Sequence, residues 1–374
     1  VKILIIRPFP EKINIDSYNV QEIGLAKALV EKGHECGIVF FETKKNNSEQ
    51  LIHTDYGKDI HIYWRTGINI LKNGLFWNLK ELISEYDVVQ VNEYDQLYSW
   101  YIYTYCKKPV IVYHGPYFNS FNKRYNLKTS IFDRIFLNKR NKQNTHILTK
   151  SEMASTYLKD KGFENVKTVG VGLDKNKLVN EEPCEEVVKT LDEIDGFNTF
   201  LYVGKIEERR NILFLLDVFS EVNKCSKCKL VLVGTGLEEY KKRVRAKIIE
   251  LGIEESVIWI DKMAQSQLPN LYKACKFFLF PTEYDIFGMV LLEAMYYGMT
   301  VFSSVNGGSS TLIHSGENGY IFNDLNVDAW SNQIKNVLNR DDSSIGLKAQ
   351  EMIQKNYLWS SLADDFIDAY ENCV

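Results

Sequence analysis

Two tandem α/β domains, each a doubly wound parallel sheet, are what this 374-residue sequence predicts. Three observations carry that prediction. The chain is too long for one hydrophobic core of ordinary size. Short continuous apolar runs alternate with stretches of helical period, the pattern of buried parallel strands joined by crossover helices. The alternation lapses between residues 175 and 196 and then starts again.

The first domain opens on "KILII" as a strand, followed by "NVQEIGLAKALVEKG" as a helix ending at Gly33 and "ECGIVFF" as a second strand. "DVVQVN", "PVIVYHG" and "THILTK" are further short runs bounded by polar residues. Residues 175–196, "KNKLVNEEPCEEVVKTLDEIDG", are acidic and contain a proline, which reads as an interdomain linker plus a surface helix. In the second domain "FLYVG", "KLVLVG", "SVIWI", "FFLFP" and "TVFSSV" are strands. Between the first of these lie the helical stretches "NILFLLDVFSEV" and "LEEYKKRVRAKIIELG". The tail "SSLADDFIDAYENCV" is one more amphipathic helix.

Composition narrows the function classes. Apolar residues make up 45% and charged residues 25%, as in soluble globular proteins. A net charge of -4 argues against general nucleic-acid binding. No apolar run approaches the ~20 residues of a membrane span. "VKILII" enters a strand at once, with no charged-then-apolar leader, so a cytoplasmic protein is expected. Aromatic residues reach 13%, which suits a Tyr- and Phe-rich core and also suits sugar contacts. Seven cysteines in a long chain do not form a disulfide framework. Cys225 and Cys228 have the spacing of half a zinc site, with no second pair to complete it.

Open parallel sheets bind ligands beyond the carboxyl ends of their strands. After "FLYV" come Gly204 and Lys205, then Arg209 and Arg210 on a loop that suits a phosphate or a solvated turn offset by Glu207 and Glu208. After "KLVLV" come Gly234 and Gly236, and after "TVFSSV" the run from Asn306 to Ser310 with adjacent glycines. After "FFLFP" comes "TEYDIFG" and then a helix from Met289 to Gly298. Phe287 and Gly288 open that helix, and their N–H groups lack helical partners. Asp285 can cap it or reach a ligand hydroxyl. Glu293 sits among Leu291, Leu292, Ala294 and Met295 and needs a polar partner there.

"PTEYDIFGMVLLEAMYYGMTVFSS" resembles the signature of the family-4 glycosyltransferases, which have the GT-B fold of two Rossmann-like domains facing across a cleft. Its two acids, Asp285 and Glu293, stand eight positions apart as in that family, with Pro281, Phe287, Gly288, Ala294, Met295 and Gly298 in register. "YVGKIEERRN", "LVLVGTG", "NGGSST", "GENGYIF", "VYHGPY", "LTKSE" and "VGVGLD" also sit in family order. The resemblance implies an acceptor-binding domain over 1–176, a nucleotide-sugar domain over 177–356 and a C-terminal helix, 357–374, crossing back to the first domain. It implies a retaining sugar transfer from a nucleotide-diphosphate sugar, with UDP or GDP as the nucleotide, and no metal or cofactor.

By the same resemblance Lys205 and Arg210 hold the diphosphate and Glu293 the ribose hydroxyls. Asp285, with Gly204, Gly234, Gly236, Phe287, Gly288 and Met289, surrounds the donor. His114 faces the acceptor from the first domain, with Ser17, Asn19 and Tyr117 on the acceptor side. Three positions depart from the pattern: Asp285 stands for Glu, Thr311 stands where many members have Glu, and "NIDSYNVQE" replaces a Gly-Gly-x-Glu loop. They keep open a non-catalytic GT-B partner that binds sugar or peptide within a complex.

Residues 119–142, "NSFNKRYNLKTSIFDRIFLNKRNK", carry seven cations against one acid, Asp133, with apolar residues interleaved. Two readings stand side by side. An amphipathic basic helix can rest on the anionic inner face of the cell membrane, which suits a lipid-linked glycan acceptor. An ordinary helix can turn the same apolar residues into the core.

Overall fold

The computed structural model of the chain describes residues 1–44, 46–178, 181–340 and 343–373. It divides into two compact units, Val1–Asp174 with the C-terminal segment from Tyr357, and Lys175–Asn356.

In the first unit the strands are β1 (Lys2–Ile6), β2 (Glu35–Glu42), β3 (Ser48–Ile52), β4 (Ile60–Ile70), β5 (Asn73–Phe76), β6 (Val88–Asn92), β7 (Val110–His114), β8 (His146–Thr149) and β9 (Asn165–Thr168). They lie in the order β3-β4-β2-β1-β6-β7-β8-β9, with β5 on β4. β1 pairs in parallel with both β2 and β6, Ile5 standing opposite Ile38 and Gln90. Strand order reverses there, so the crevice beyond the ends of β1 and β6 is this sheet's ligand position.

This sheet is mixed rather than wholly parallel: β3 and β5 run antiparallel to β4. None of the three was legible as a strand. β3 is an edge strand whose first four residues are exposed, so it carries no buried apolar run. β4 is buried at its start and exposed at its end, which blurs its periodicity.

The helix Gln21–Glu31 covers this sheet with Ile23, Leu25, Leu29 and Val30 and gives way to Gly33 at φ +89°. The C-terminal helix Trp359–Glu371 packs against it. Gly24 and Gly172 leave room for the Trp359 ring: a Cβ on either would lie 2.3 or 2.5 Å from indole atoms. Tyr370 Oη donates to Gln90 Oε1 at 2.6 Å, which ties the last helix to β6.

The second unit holds β10 (Asn198–Val203), β11 (Cys228–Val233), β12 (Val257–Ile260), β13 (Phe277–Phe280), β14 (Thr300–Ser304) and β15 (Tyr320–Phe322). All pairs are parallel, in the order β12-β11-β10-β13-β14-β15, with the reversal between β10 and β13. Phe200, Phe277 and Phe302 from adjacent strands meet Phe219 and Trp330 from the covering helices. Within the acidic stretch the helix Glu185–Ile194 buries Val187, Thr190 and Ile194 in this unit, so only its outer side is a surface. Val179 and Asn180 of that stretch lie outside the described residues. Cys228 starts β11 as a core residue, its thiol pushed up to about 12 by burial, while Cys225 is exposed.

Candidate functional site

Three loops at the carboxyl ends of β10, β13 and β14 are sewn together through their backbones. Glu283 donates its N–H to Arg209 O at 3.2 Å. Asn211, left-handed at φ +52°, donates from Nδ2 to Pro281 O (2.9 Å) and Glu283 Oε2 (2.8 Å). The Arg209 guanidinium donates to the Tyr284 carbonyl and pairs with Glu207 at 2.7 Å. Gly307 donates its N–H to Asp285 O at 3.1 Å, and a Cβ on Gly308 would stand 1.8 Å from Phe287 O. Asn306 is fully buried. Its Oδ1 accepts from the N–H groups of Gly308 and Ser309, and its Nδ2 donates to Thr282 O and Ser304 O. The adjacent glycines thus serve close packing, and their N–H groups are engaged within the chain.

Gly204, Gly234 and Gly236 have a related cause. Ile206 N–H donates to Thr235 O at 2.9 Å, extending the β10–β11 pairing past the strands. A Cβ on Gly234 would fall 1.8 Å from Gly204 O, and one on Gly236 would fall 1.8 Å from Ile206 O. Gly234 also sits at φ +150°. Gly234→Ala adds that overlap to an unfavourable backbone and is expected to cost about 3 kcal/mol, read by urea denaturation. An unchanged midpoint would mean that the loop yields without cost.

The loops converge on Asp285. Its Oδ2 accepts from Arg210 Nη1 at 2.6 Å. Its Oδ1 accepts from the N–H groups of Gly288 (3.0 Å) and Phe287 (3.4 Å). Those amides precede the helix Met289–Tyr296, whose N-cap Gly288 is left-handed at φ +72°. The guanidinium and both amides, all candidates for a ligand anion, are therefore gathered on one carboxylate. Arg210 also lies over the Phe280 ring, 5.6 Å from its centroid. Lys205 is exposed on the same loop as Arg210, and Met289 is half-buried at the helix start. Glu293, 2% exposed, accepts from Tyr272 Oη at 2.9 Å, and Tyr272 stacks on Tyr297. Thr311 donates its hydroxyl to Gly307 O at 2.8 Å.

In the first unit His114 ends β7 and is wholly buried. Its Nδ1 lies 2.7 Å from Glu93 Oε2. Glu93 Oε2 also accepts the Gly115 N–H at 3.0 Å, and Oε1 accepts from Lys150 Nζ at 3.3 Å. Burial works to raise the Glu93 carboxyl, but Lys150, His114 and the Gly115 amide outweigh it and bring it down to about 2. Glu93 has φ +62°, uncommon for a residue with a side chain and a feature of functional sites. Next to it burial raises the Asp95 carboxyl. Asn92 Oδ1, Asp95 Oδ2, Gln96 Oε1, His114 Nε2 and Tyr125 Oη are buried without a hydrogen-bond partner among the described residues. Such atoms call for water or a ligand. Tyr117 is buried, and Ser17 and Asn19 are exposed in the turns between β1 and the first helix.

Sequence reasoning passed over Asn211, Tyr272, Glu93 and Lys150, and took Asn306 only as the start of its loop. Asn211 directly follows the basic turn and Asn306 opens the glycine loop, so both were within reach of a loop-by-loop reading. Tyr272 lies on a separate helix, and Glu93 and Lys150 join His114 only through the order of β6, β7 and β8.

Comparison with known proteins accords with this geometry. The family described as "Glycosyl transferases group 1" matches residues 185–359, and "Glycosyltransferase Family 4" matches 23–177. The lipopolysaccharide 1,2-N-acetylglucosaminetransferase of Salmonella typhimurium is 27% identical over 233 residues, 58% of this chain and 61% of the relative. The O-antigen chain mannosyltransferase B of Escherichia coli is 28% identical over 46% of this chain and 45% of the relative. The chain therefore spans about half to three fifths of these relatives. Sucrose-phosphate synthase from Thermosynechococcus elongatus superposes with a TM-score of 0.73 at 17% identity, over 99% of this chain and 98% of that one. The Anabaena protein HepE, solved with UDP, gives 0.71 at 16% over all of both chains.

Proposed function

The chain belongs to the GT-B glycosyltransferases, and from that premise we propose a retaining, metal-independent enzyme of the family-4 kind. It moves a sugar from a UDP- or GDP-linked donor to a glycan or lipid-linked glycan, in cell-surface polysaccharide or glycoconjugate synthesis on the cytoplasmic side. The observation that carries the reading is the convergence of Arg210 and two helix-opening amides on the Asp285 carboxylate. A point that holds a carboxylate with a guanidinium and a helix N-terminus is equipped to hold a phosphate.

As the bond from the sugar's anomeric carbon to the phosphate oxygen breaks, negative charge grows on the diphosphate. In this reading Lys205 and Arg210 stabilise that charge, Arg210 after exchanging its Asp285 partner for the phosphate. Glu293, oriented by Tyr272, takes the ribose hydroxyls. His114, beside Glu93 in the first unit, is the group assigned to the acceptor side. Asp285 contacts the donor sugar once the diphosphate has drawn Arg210 away.

One observation favours a second reading: Asp285 already has its partners within the chain, which also suits a non-catalytic GT-B partner. Thermal shift with nucleotides and nucleotide sugars separates the two, with UDP tried first because a structural relative was solved with it. A nucleotide at a hundredfold excess over Kd is expected to add about 2.7 kcal/mol, lost in Glu293→Ala. No shift with any donor in the wild type would favour the non-catalytic reading.

A further inference from the structure

The segment 119–142 turns out to have two apolar sides. In the helix Lys123–Phe136, Thr129 and Phe132 are buried, and Phe132 packs against Tyr94 and Phe136. That side belongs to the core. Leu127, Ile131 and Ile135 are on another side, 63%, 50% and 66% exposed. At one turn apart they form a continuous stripe along the helix. Core packing accounts for the first side and leaves the second without a cause inside the chain.

The charges around the stripe identify its occupant. Helical spacing puts Lys128 along one flank and Lys123 and Arg134 along the other. Arg124, also exposed, lies within the stripe. The segment's single acid is turned inward: Asp133 pairs with Lys161 and accepts from Tyr94 Oη. The outer face thus offers branched apolar side chains, cations and Ser130, and no carboxylate. Phe118 and Phe121, 63% and 46% exposed, extend it just before the helix. Cations framing a narrow apolar stripe match anionic headgroups above acyl chains, with apolar residues entering the boundary and the cations staying at headgroup level. Among the described residues no helix is long and apolar enough to cross a membrane, so the contact is one of lying on the surface.

We propose that the outer face of the helix Lys123–Phe136 docks this chain on an anionic lipid bilayer through Leu127, Ile131 and Ile135, with Lys123, Arg124, Lys128 and Arg134 at the headgroups. Docking deepens the proposed transfer, since a lipid-linked acceptor would lie in the same surface, but the contact stands on the helix alone.

The test is co-sedimentation of the full chain with phosphatidylcholine vesicles, with and without a third of phosphatidylglycerol. Binding is expected to the anionic vesicles and to fall steeply with salt. Ile131→Ser with Ile135→Ser, and separately Lys123→Glu with Arg134→Glu, are each expected to lower the partition coefficient at least about tenfold. All four positions are exposed, so melting temperature and donor-nucleotide thermal shift should stay at wild-type values. Equal binding to neutral vesicles, or variants that bind like wild type, would overturn the proposal. So would concentration-dependent self-association that the same substitutions abolish, which would assign the face to a second copy. None of these readouts uses sugar transfer, so a failed docking and a failed enzyme reading remain distinguishable.

Discussion

Replacing Glu93 by alanine is expected to destabilise the first unit by about 3–5 kcal/mol, because it strands the Lys150 cation in a buried setting without its counter-charge. The same carboxylate makes acid stability predictable in sign. Its folded pKa of about 2 lies below the ordinary 4.5, so its contribution is complete above pH 4.5. That contribution is lost as pH falls from there through about 2. The difference corresponds to about 3 kcal/mol. Asp95 works the other way: its carboxyl is raised, so its ionisation opposes folding at higher pH and acid relieves it. Glu93→Gln should therefore flatten the acid limb while keeping the side chain's volume. Hydrogen exchange of β6 and β7 amides between pH 6 and 2 reads this locally. Equal acid loss in wild type and Glu93→Gln would mean that the buried charge contributes nothing.

Legibility in the sequence followed how local each signal was. β1, β2, β6 to β8 and β10 to β14 could be read because continuous apolar runs belong to buried parallel strands. β3 to β5 could not, because an antiparallel edge is half solvated and its pattern resembles a loop. At the site, Arg210, Asp285 and Glu293 were visible as polar residues beyond strand ends. Their mutual arrangement was not. The sequence offers the Phe287 and Gly288 amides to a ligand, yet in the folded chain they meet Asp285, two and three residues away in sequence and so within reach of a short side chain. Gly307 and Gly308, whose N–H groups could have met an anion, owe their places to backbone carbonyls 2.2 and 1.8 Å from where a Cβ would be. Asn306 holds four backbone partners from two loops, a role that depends on distances sequence does not carry.

Arg210→Met is expected to lower sugar transfer by about 10²–10³, the range for removing one fixed donor from a developing anion. The revealing partner is Asp285→Asn. If Arg210 holds the diphosphate as proposed, the ligand must take it from a carboxylate 2.6 Å away, so the chain's own anion competes with the ligand's. Asparagine keeps an oxygen for the Gly288 and Phe287 amides, and so keeps the turn that precedes the helix, but removes the charge. A charge-assisted hydrogen bond is worth about 1.5–3 kcal/mol, and only part of that returns as affinity. The nucleoside diphosphate should therefore bind about tenfold tighter to Asp285→Asn, which is about 1.4 kcal/mol. Turnover should fall in the same variant, because the carboxylate assigned to the donor sugar is gone. Calorimetry with the diphosphate and initial rates with the full donor measure the two effects separately. Weaker diphosphate binding in Asp285→Asn would overturn the competition and make Asp285 a support for Arg210. Tighter binding with unchanged turnover would leave the competition standing and remove Asp285 from the donor sugar.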